Sequence, residues 1–346
     1  MRPFDRRLDI VRGRVDLSHG AGGRASAQLV SDIFYPHFAN NLLAAGNDQA
    51  IFASPGSRLA MSTDSYVVSP LFFPGGDIGA LAVNGTINDL AMGGARPLYL
   101  SAGFIIEEGF PLLDLRRIAE SMGAAAQKAG AIIVTGDTKV VERGKADGVF
   151  ITTTGVGAIE TEIDLSGDRA IPGDRVILSG GIGEHGVAVM MARQDLGFNA
   201  KLSSDCAALH DLVALMIASA GSSIRLMRDP TRGGLAATLN EIAQQSQVGF
   251  KISEADIPVK PAVAAVCELL GLDPLNVANE GKLVAIVDAA AAQGLVEIMR
   301  AHPLGRDAAM IGEVISDHHR YVQMETKFGG YRIVDWLSGE QLPRIC

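Results

Sequence analysis

Gly85-Thr86-Ile87-Asn88-Asp89-Leu90-Ala91-Met92-Gly93-Gly94 closes a helical pattern that begins near Asp77, and the apolar run Pro97-Leu98-Tyr99-Leu100 follows it. A helix feeding a strand is the unit of layered α/β or α+β domains, and the unit recurs on both sides of this stretch. Upstream, Leu59-Ala60-Met61-Ser62 is strand-like. Downstream, a helical pattern from Leu112 to Lys128 leads to Ile132-Ile133-Val134 and then to Val149 to Thr154. A polar stretch with Gly and Pro, Glu160 to Asp174, separates this half from Arg175-Val176-Ile177-Leu178, which reads as the first strand of a second unit. There, helices near Ala207 to Ser219, Leu235 to Gln245 and Ala289 to Arg300 accompany strands at Leu283 to Val287 and Ala309 to Val314. The expected division is a first domain over 1–160, a second over 168–336 and a mobile tail over 337–346.

The chain has 346 residues, 48% of them hydrophobic, which is ample for two sizeable cores. Its 30 basic and 39 acidic side chains leave a net charge of −9, which argues against a broad nucleic-acid or anionic-membrane surface. No apolar run approaches the length of a spanning helix, and Arg6-Arg7 lacks the apolar stretch of an export signal. Cys206, Cys267 and Cys346 are too scattered for a disulfide framework or a zinc site, which suits a reducing cytoplasm. Cys206 and Cys267 fall in helical patterns, where a thiol serves as apolar filler.

Cys346 differs, because it ends Leu342-Pro343-Arg344-Ile345-Cys346 and is tethered on one side only. In extension, the segment from Leu337 onward reaches roughly 33–36 Å, enough to visit a site on this chain and another on a partner. The thiol reads as a swinging arm that carries a group on sulfur; the plainer alternative is a frayed end.

Acidic and amide residues recur at the ends of apolar runs: Asp48, Asp64, Asn88-Asp89 and Asp137. Singly, each is an ordinary turn or cap residue. Together they suit a hard cation such as Mg2+, which bridges one or two carboxylates to nucleotide phosphates. Two glycine-rich loops, His19-Gly20-Ala21-Gly22-Gly23 and Asp229-Pro230-Thr231-Arg232-Gly233-Gly234, precede helical patterns and can place backbone N–H groups against an anion. Gly181-Ile182-Gly183-Glu184-His185-Gly186 has the letters of a dinucleotide fingerprint but lacks the acidic strand end expected about 20 residues on, and no P-loop is present. His19 and His185 have no ligand cluster around them, so zinc or nickel is not expected. Lys139 and Glu280 lie in short polar loops beside apolar runs, a setting common for groups that do chemistry.

With these motifs assembled, the chain resembles the HypE family of hydrogenase expression/formation proteins, within the aminoimidazole-ribonucleotide-synthetase-like ATP-binding superfamily. The resemblance runs through His19 to Gly23, Gly46 to Asp48, Thr63-Asp64, Phe73 to Ile78, Gly85 to Pro97, Gly136 to Lys139, Gly180 to Gly186, Asp229 to Gly234, Asn279 to Lys282 and the terminal Pro343-Arg344-Ile345-Cys346. The terminal motif is its most specific element.

The resemblance implies an α+β, two-domain fold of mixed sheets packed by helices, with first domains pairing as a homodimer around a shared barrel. It implies ATP-dependent dehydration of an S-carboxamide on Cys346 to a thiocyanate, the cyanide source for nickel-iron hydrogenase. By motif match Asp48, Asp64, Asp89 and Asp137 become candidate metal and nucleotide ligands, Asn88, Gly22 and Gly23 nucleotide-binding, and Lys139 and Glu280 proton-handling groups. ATP and Mg2+ are the implied cofactors, and a HypF-like carbamoyltransferase and a HypC–HypD-like iron scaffold the implied partners. Two rivals stand beside this: a small-molecule kinase or synthetase of the same superfamily, indifferent to Cys346, and a non-enzymatic thiol carrier, indifferent to ATP.

Overall fold

The computed structural model describes residues 8–21, 24–44, 50, 52–53, 56, 58–193, 202–336 and 344–346. Strands β1 (Arg58–Tyr66), β2 (Arg96–Glu107), β3 (Ile132–Val141) and β4 (Val149–Ile159) form a sheet in the order β1-β4-β2-β3, in which only the β2–β3 pair is parallel. Helices α1 (Ile78–Met92) and α2 (Leu112–Lys128) cover one face. Asp77 caps α1 by accepting from the Gly79 and Ala80 amides. The helix is apolar almost all round because it is enclosed almost all round, by the sheet, by α2 and by the second half of the chain.

The opposite face of this sheet is open. Successive strand residues point to opposite sides, and on β1 the exposed set is Leu59, Met61, Thr63 and Ser65. Across the ladder Thr63 meets Thr154 and Ser65 meets Thr152, each pair with hydroxyl oxygens 2.8 Å apart.

The second half builds a seven-stranded sheet from β5 (Arg175–Leu178), β6 (Ile224–Arg228), β7 (Gly249–Ser253), β8 (Val284–Val287), β9 (Ala309–Ile315), β10 (Val322–Glu325) and β11 (Tyr331–Ile333), in the order β11-β10-β7-β9-β5-β8-β6. Between them come α3 (Glu184–Arg193), α4 (His210–Ala220), α5 (Gly234–Ser246), α6 (Pro261–Leu270) and α7 (Ala289–Ala301). Val176, Leu178, Val284 and Ile286 pack on α5, while Ile177, Ala285 and Val287 pack on α4 and α7. Both faces are therefore buried, as the unbroken apolar runs of the central strands require. The fold is α+β with two mixed sheets. No helix among the described residues is long and apolar enough to cross a membrane.

Candidate functional site

Glu280 is 2% exposed, and the backbone around it is fixed on every side. The Asp205 carboxylate accepts from the Glu280 amide (3.1 Å), the Gly281 amide (3.2 Å) and Lys282 Nζ (3.1 Å). Gly281 permits this, because a Cβ there would lie 1.9 Å from the Asp205 carbonyl oxygen. Asn88 Nδ2 donates to the Ala207 and Glu280 carbonyls, and its Oδ1 accepts from the Leu209 amide. Its amide thus latches α1 to the loops that hold Glu280. The Glu280 Oε1 has no conventional hydrogen-bond partner among the described residues. Burial, and then the charges of Asp229, Asp205 and Asp64, push its carboxyl well above the usual range.

Cys346 sits against that carboxyl. Burial and the Glu280 charge raise its thiol, with the Arg232 cation acting in the opposite sense. The tail runs beside residues 67–69: the Ser69 amide donates to the Arg344 carbonyl (3.1 Å) and the Val67 amide to a Cys346 oxygen (3.4 Å). Arg344 pairs with Asp147, and Ile345 is 3% exposed within the core under the first sheet. Of the tail expected over 337–346, only 344–346 lie among the described residues.

Asp64, on β1, and Asp89, one turn beyond Gly85 on α1, approach the same cleft. Ser62 donates to Asp89 at 2.5 Å, and Tyr66 Oη lies 3.4 Å from Asp64. Gly85 leaves room for that phenol, since a Cβ would stand 2.3 Å from Oη. Glycine inside a helix ordinarily costs about 0.5–1 kcal/mol relative to alanine; here Gly85→Ala should instead lower the melting temperature, because the overpacking costs about 1–3 kcal/mol. Tyr66→Phe in the same chain should restore part of the loss, and a Gly85→Ala variant that melts higher would refute the steric account.

Asp229, just past the end of β6, belongs in sequence to an anion-binding loop, yet in the fold it completes the acidic group. Burial together with Asp89 and Asp64 raises its carboxyl to about 7, Arg228 partly opposing. Asp89 is likewise raised, first by burial and then by Asp64. Carboxylates that repel one another in this way fit a site for positive charge. Among the described residues no group of three or more His, Cys, Asp or Glu is arranged to cage a metal alone.

Asp137 and Lys139 lie elsewhere in the chain. The register runs Asp64–Thr153–Ala102–Gly136 across the sheet, which puts them three strands away, roughly 14 Å at about 4.8 Å per strand. They also point to the open face, whereas Asp64 points to α1. Lys139 Nζ lies 2.7 Å from Asp137, which lowers that carboxyl. Beside them is a cavity of about 380 Å³ with walls that include His19, Phe34, Phe38, Phe104 and Ile133. Asp48, Gly22 and Gly23 lie outside the described residues.

Cys206 is not helical filler. It precedes α4, accepts from Asn84 Nδ2 at 3.4 Å, and shares the Glu280 environment. The helical pattern expected from Ala207 begins only at His210 because Asn88, Asp205 and Glu280 take up the loop's polar groups. Cys267, on α6, is buried as expected.

Family models described as AIR synthase related protein, N-terminal domain and C-terminal domain match residues 46–159 and 172–325. A protein of Rhizobium leguminosarum bv. viciae named carbamoyl dehydratase HypE is 66% identical over 346 residues, all of this chain and 99% of that one. The Escherichia coli (strain K12) protein of the same name is 48% identical over 96% of this chain and 99% of its own. A solved HypE in complex with ATP is 51% identical with a TM-score of 0.92, covering 96% of this chain and 99% of that one. A HypE–HypF complex is 47% identical with a TM-score of 0.79, covering 89% and 99%. A thiamine-monophosphate kinase from Stenotrophomonas maltophilia, 18% identical over 91% of this chain and 98% of its own with a TM-score of 0.61, shares the fold alone.

Proposed function

We infer the function from one premise: the chain belongs to the HypE family of AIR synthase-related proteins. It acts as an ATP-dependent carbamoyl dehydratase on its own Cys346, converting S–C(=O)–NH2 with ATP to S–C≡N, ADP, phosphate and a proton. The carrying observation is the terminal thiol seated against a buried carboxyl with an unpartnered oxygen. The amide oxygen leaves as part of phosphate, and both N–H protons must go to bases.

Carboxylates from Asp64, Asp89 and Asp229, with Asp48 added by its motif, would hold Mg2+ together with the phosphates of ATP, and the ion would supply the positive charge that phosphoryl transfer needs. Glu280 takes a proton from the carboxamide nitrogen, with Asn88 and Asp205 holding it in place. Replacing Asp64, Asp89 or Asp229 by Asn should weaken Mg-ATP binding about tenfold or more, the effect of about 1.4 kcal/mol lost from a charge-assisted contact. Calorimetry giving unchanged affinity in all three variants would move the nucleotide elsewhere.

A homodimer accounts for Asp137 and Lys139. Leu59, Met61 and Ile105 are 48%, 74% and 44% exposed on the open face, and two such four-stranded sheets can close as one barrel. Each free β3 edge then meets a β1 edge, bringing the strand that carries Asp137 and Lys139 in a second copy beside the strand that carries Asp64. The cavity beside them offers apolar walls to a nucleoside, and the His19-Gly20 loop and Lys139 offer donors to phosphates.

The carbamoyl group comes from a HypF-like carbamoyltransferase, and the cyanide passes to a HypC–HypD-like iron scaffold. Soluble, reducing surroundings in the cytoplasm suit a free thiol of this kind. A kinase would not need Cys346 beside Glu280, and a bare carrier would not need a cleft of mutually repelling carboxylates.

A further inference from the structure

His185, at the start of α3, is 0% exposed and is not used by the chemistry above. Its Nε2 lies 2.9 Å from the Ile345 carbonyl and its Nδ1 lies 2.8 Å from Ser204 Oγ. The carbonyl can only accept, so Nε2 carries the hydrogen and Nδ1 accepts from the serine hydroxyl. Ser204 Oγ in turn accepts from the Cys206 amide at 3.0 Å. At the last residue of the same helix, Arg193 donates from one terminal nitrogen to the Arg344 carbonyl (2.7 Å) and from Nε to the Ser69 carbonyl (2.7 Å). The two side chains thus hold consecutive tail carbonyls from opposite ends of α3, Arg193 sharing the Arg344 carbonyl with the Ser69 amide.

We propose that His185 and Arg193 are positioning residues, a clamp on the tail backbone that divides Cys346 between its docked position at Glu280 and an undocked one open to a partner. Side-chain identity along the tail enters through the buried Ile345 and through Arg344, which pairs with Asp147, whereas the clamp grips main-chain oxygens and is indifferent to what sulfur carries. The histidine arm also links docking to the 204–206 loop whose Asp205 fixes the Glu280 backbone, so the thiol and its facing carboxyl are set by one hydrogen-bonded chain.

Alkylation of Cys346 by iodoacetamide in the full-length protein, read by peptide mass so that Cys206 and Cys267 are scored separately, tests the clamp without reference to any activity. Arg193→Ala and His185→Ala should each raise the Cys346 rate about tenfold, the effect of losing one hydrogen bond to the tail, with Cys267 unchanged. Arg193 lies partly at the surface, so its variant keeps the test valid if His185→Ala fails to fold. Equal Cys346 rates in wild type and Arg193→Ala overturn the proposal.

A second readout rests on the dehydratase reading. Arg193→Ala should accept carbamoyl at least as fast as wild type, while dehydration of the pre-carbamoylated protein slows about tenfold. A general folding defect lowers both rates together, and that outcome also counts against the clamp. Faster alkylation with no carbamoyl acceptance even in wild type would leave the clamp standing and remove the function.

Discussion

Cys346→Ala, incubated with a carbamoyltransferase, carbamoyl phosphate and Mg-ATP, should retain its unmodified intact mass throughout, while wild type passes through S-carboxamide to thiocyanate. The expected loss is complete. Neither remaining thiol can substitute: Cys267 is buried on α6, and Cys206 is held by Asn84 with its thiol raised by burial. Ile345, Arg344 and the clamp on their carbonyls are untouched by this change, so the unfolding free energy should stay within about ±0.5 kcal/mol of wild type, and Mg-ATP affinity should be preserved. A modified mass persisting in this variant would sink the carrier role of the tail. Loss of nucleotide binding along with modification would instead mean that the thiol helps to build the cleft.

The alternating pattern made most of the fold legible. Leu112 to Lys128 is a helix over just those residues, and the runs at Arg175 and Ala309 are neighbouring strands of one sheet. Strands β6, β7, β10 and β11 were not separately legible, since short apolar stretches look alike whether they become strands or helix faces. Parts of the site were legible for a chemical reason: Asp64 and Asp89 interrupt otherwise apolar patterns inside β1 and α1, and Glu280 lies in a polar loop, so each carboxylate is conspicuous beside an apolar run.

What remained hidden depends on contacts distant in sequence. In the sequence Asp229 is legible only as the first residue of an anion-binding glycine loop, and only the approach of β1 and α1 turns it into a carboxylate raised by two others. His185 lay within a glycine fingerprint whose letters suggested a different ligand; its role follows from a carbonyl 160 residues away in sequence. The separation of Asp137 and Lys139 from Asp64 could not be read either, because strand order and facing are set by pairing. Residues adjacent in a motif list then fall on opposite faces of one sheet.

Glu280→Gln should fold, bind Mg-ATP, accept carbamoyl on Cys346 and then stall as the S-carboxamide, heavier than the thiocyanate by the mass of one water. Glutamine is close in shape to the protonated carboxyl that burial and the charges of Asp229, Asp205 and Asp64 already favour, so the resting cleft should tolerate it without loss of stability. What glutamine cannot do is take a proton. The chemistry requires two N–H protons to leave the carboxamide, and Glu280 is the buried carboxyl that faces the docked thiol with an oxygen committed to no other partner. Neutralising the neighbouring aspartates lowers the penalty on its charged form, so the base becomes competent when the acidic group is occupied rather than at rest. The backbone fixed by Asn88, Asp205 and Gly281 then keeps the acceptor within reach of nitrogen. Removing a positioned general base costs about 10²–10⁴-fold in the step it serves, and intact-mass sampling over time would resolve that as a persistent S-carboxamide. Thiocyanate formed at the wild-type rate would pass the proton-accepting role to another group, with Asp229, Asp205 and Asp64, whose charges reach Glu280, to be replaced next.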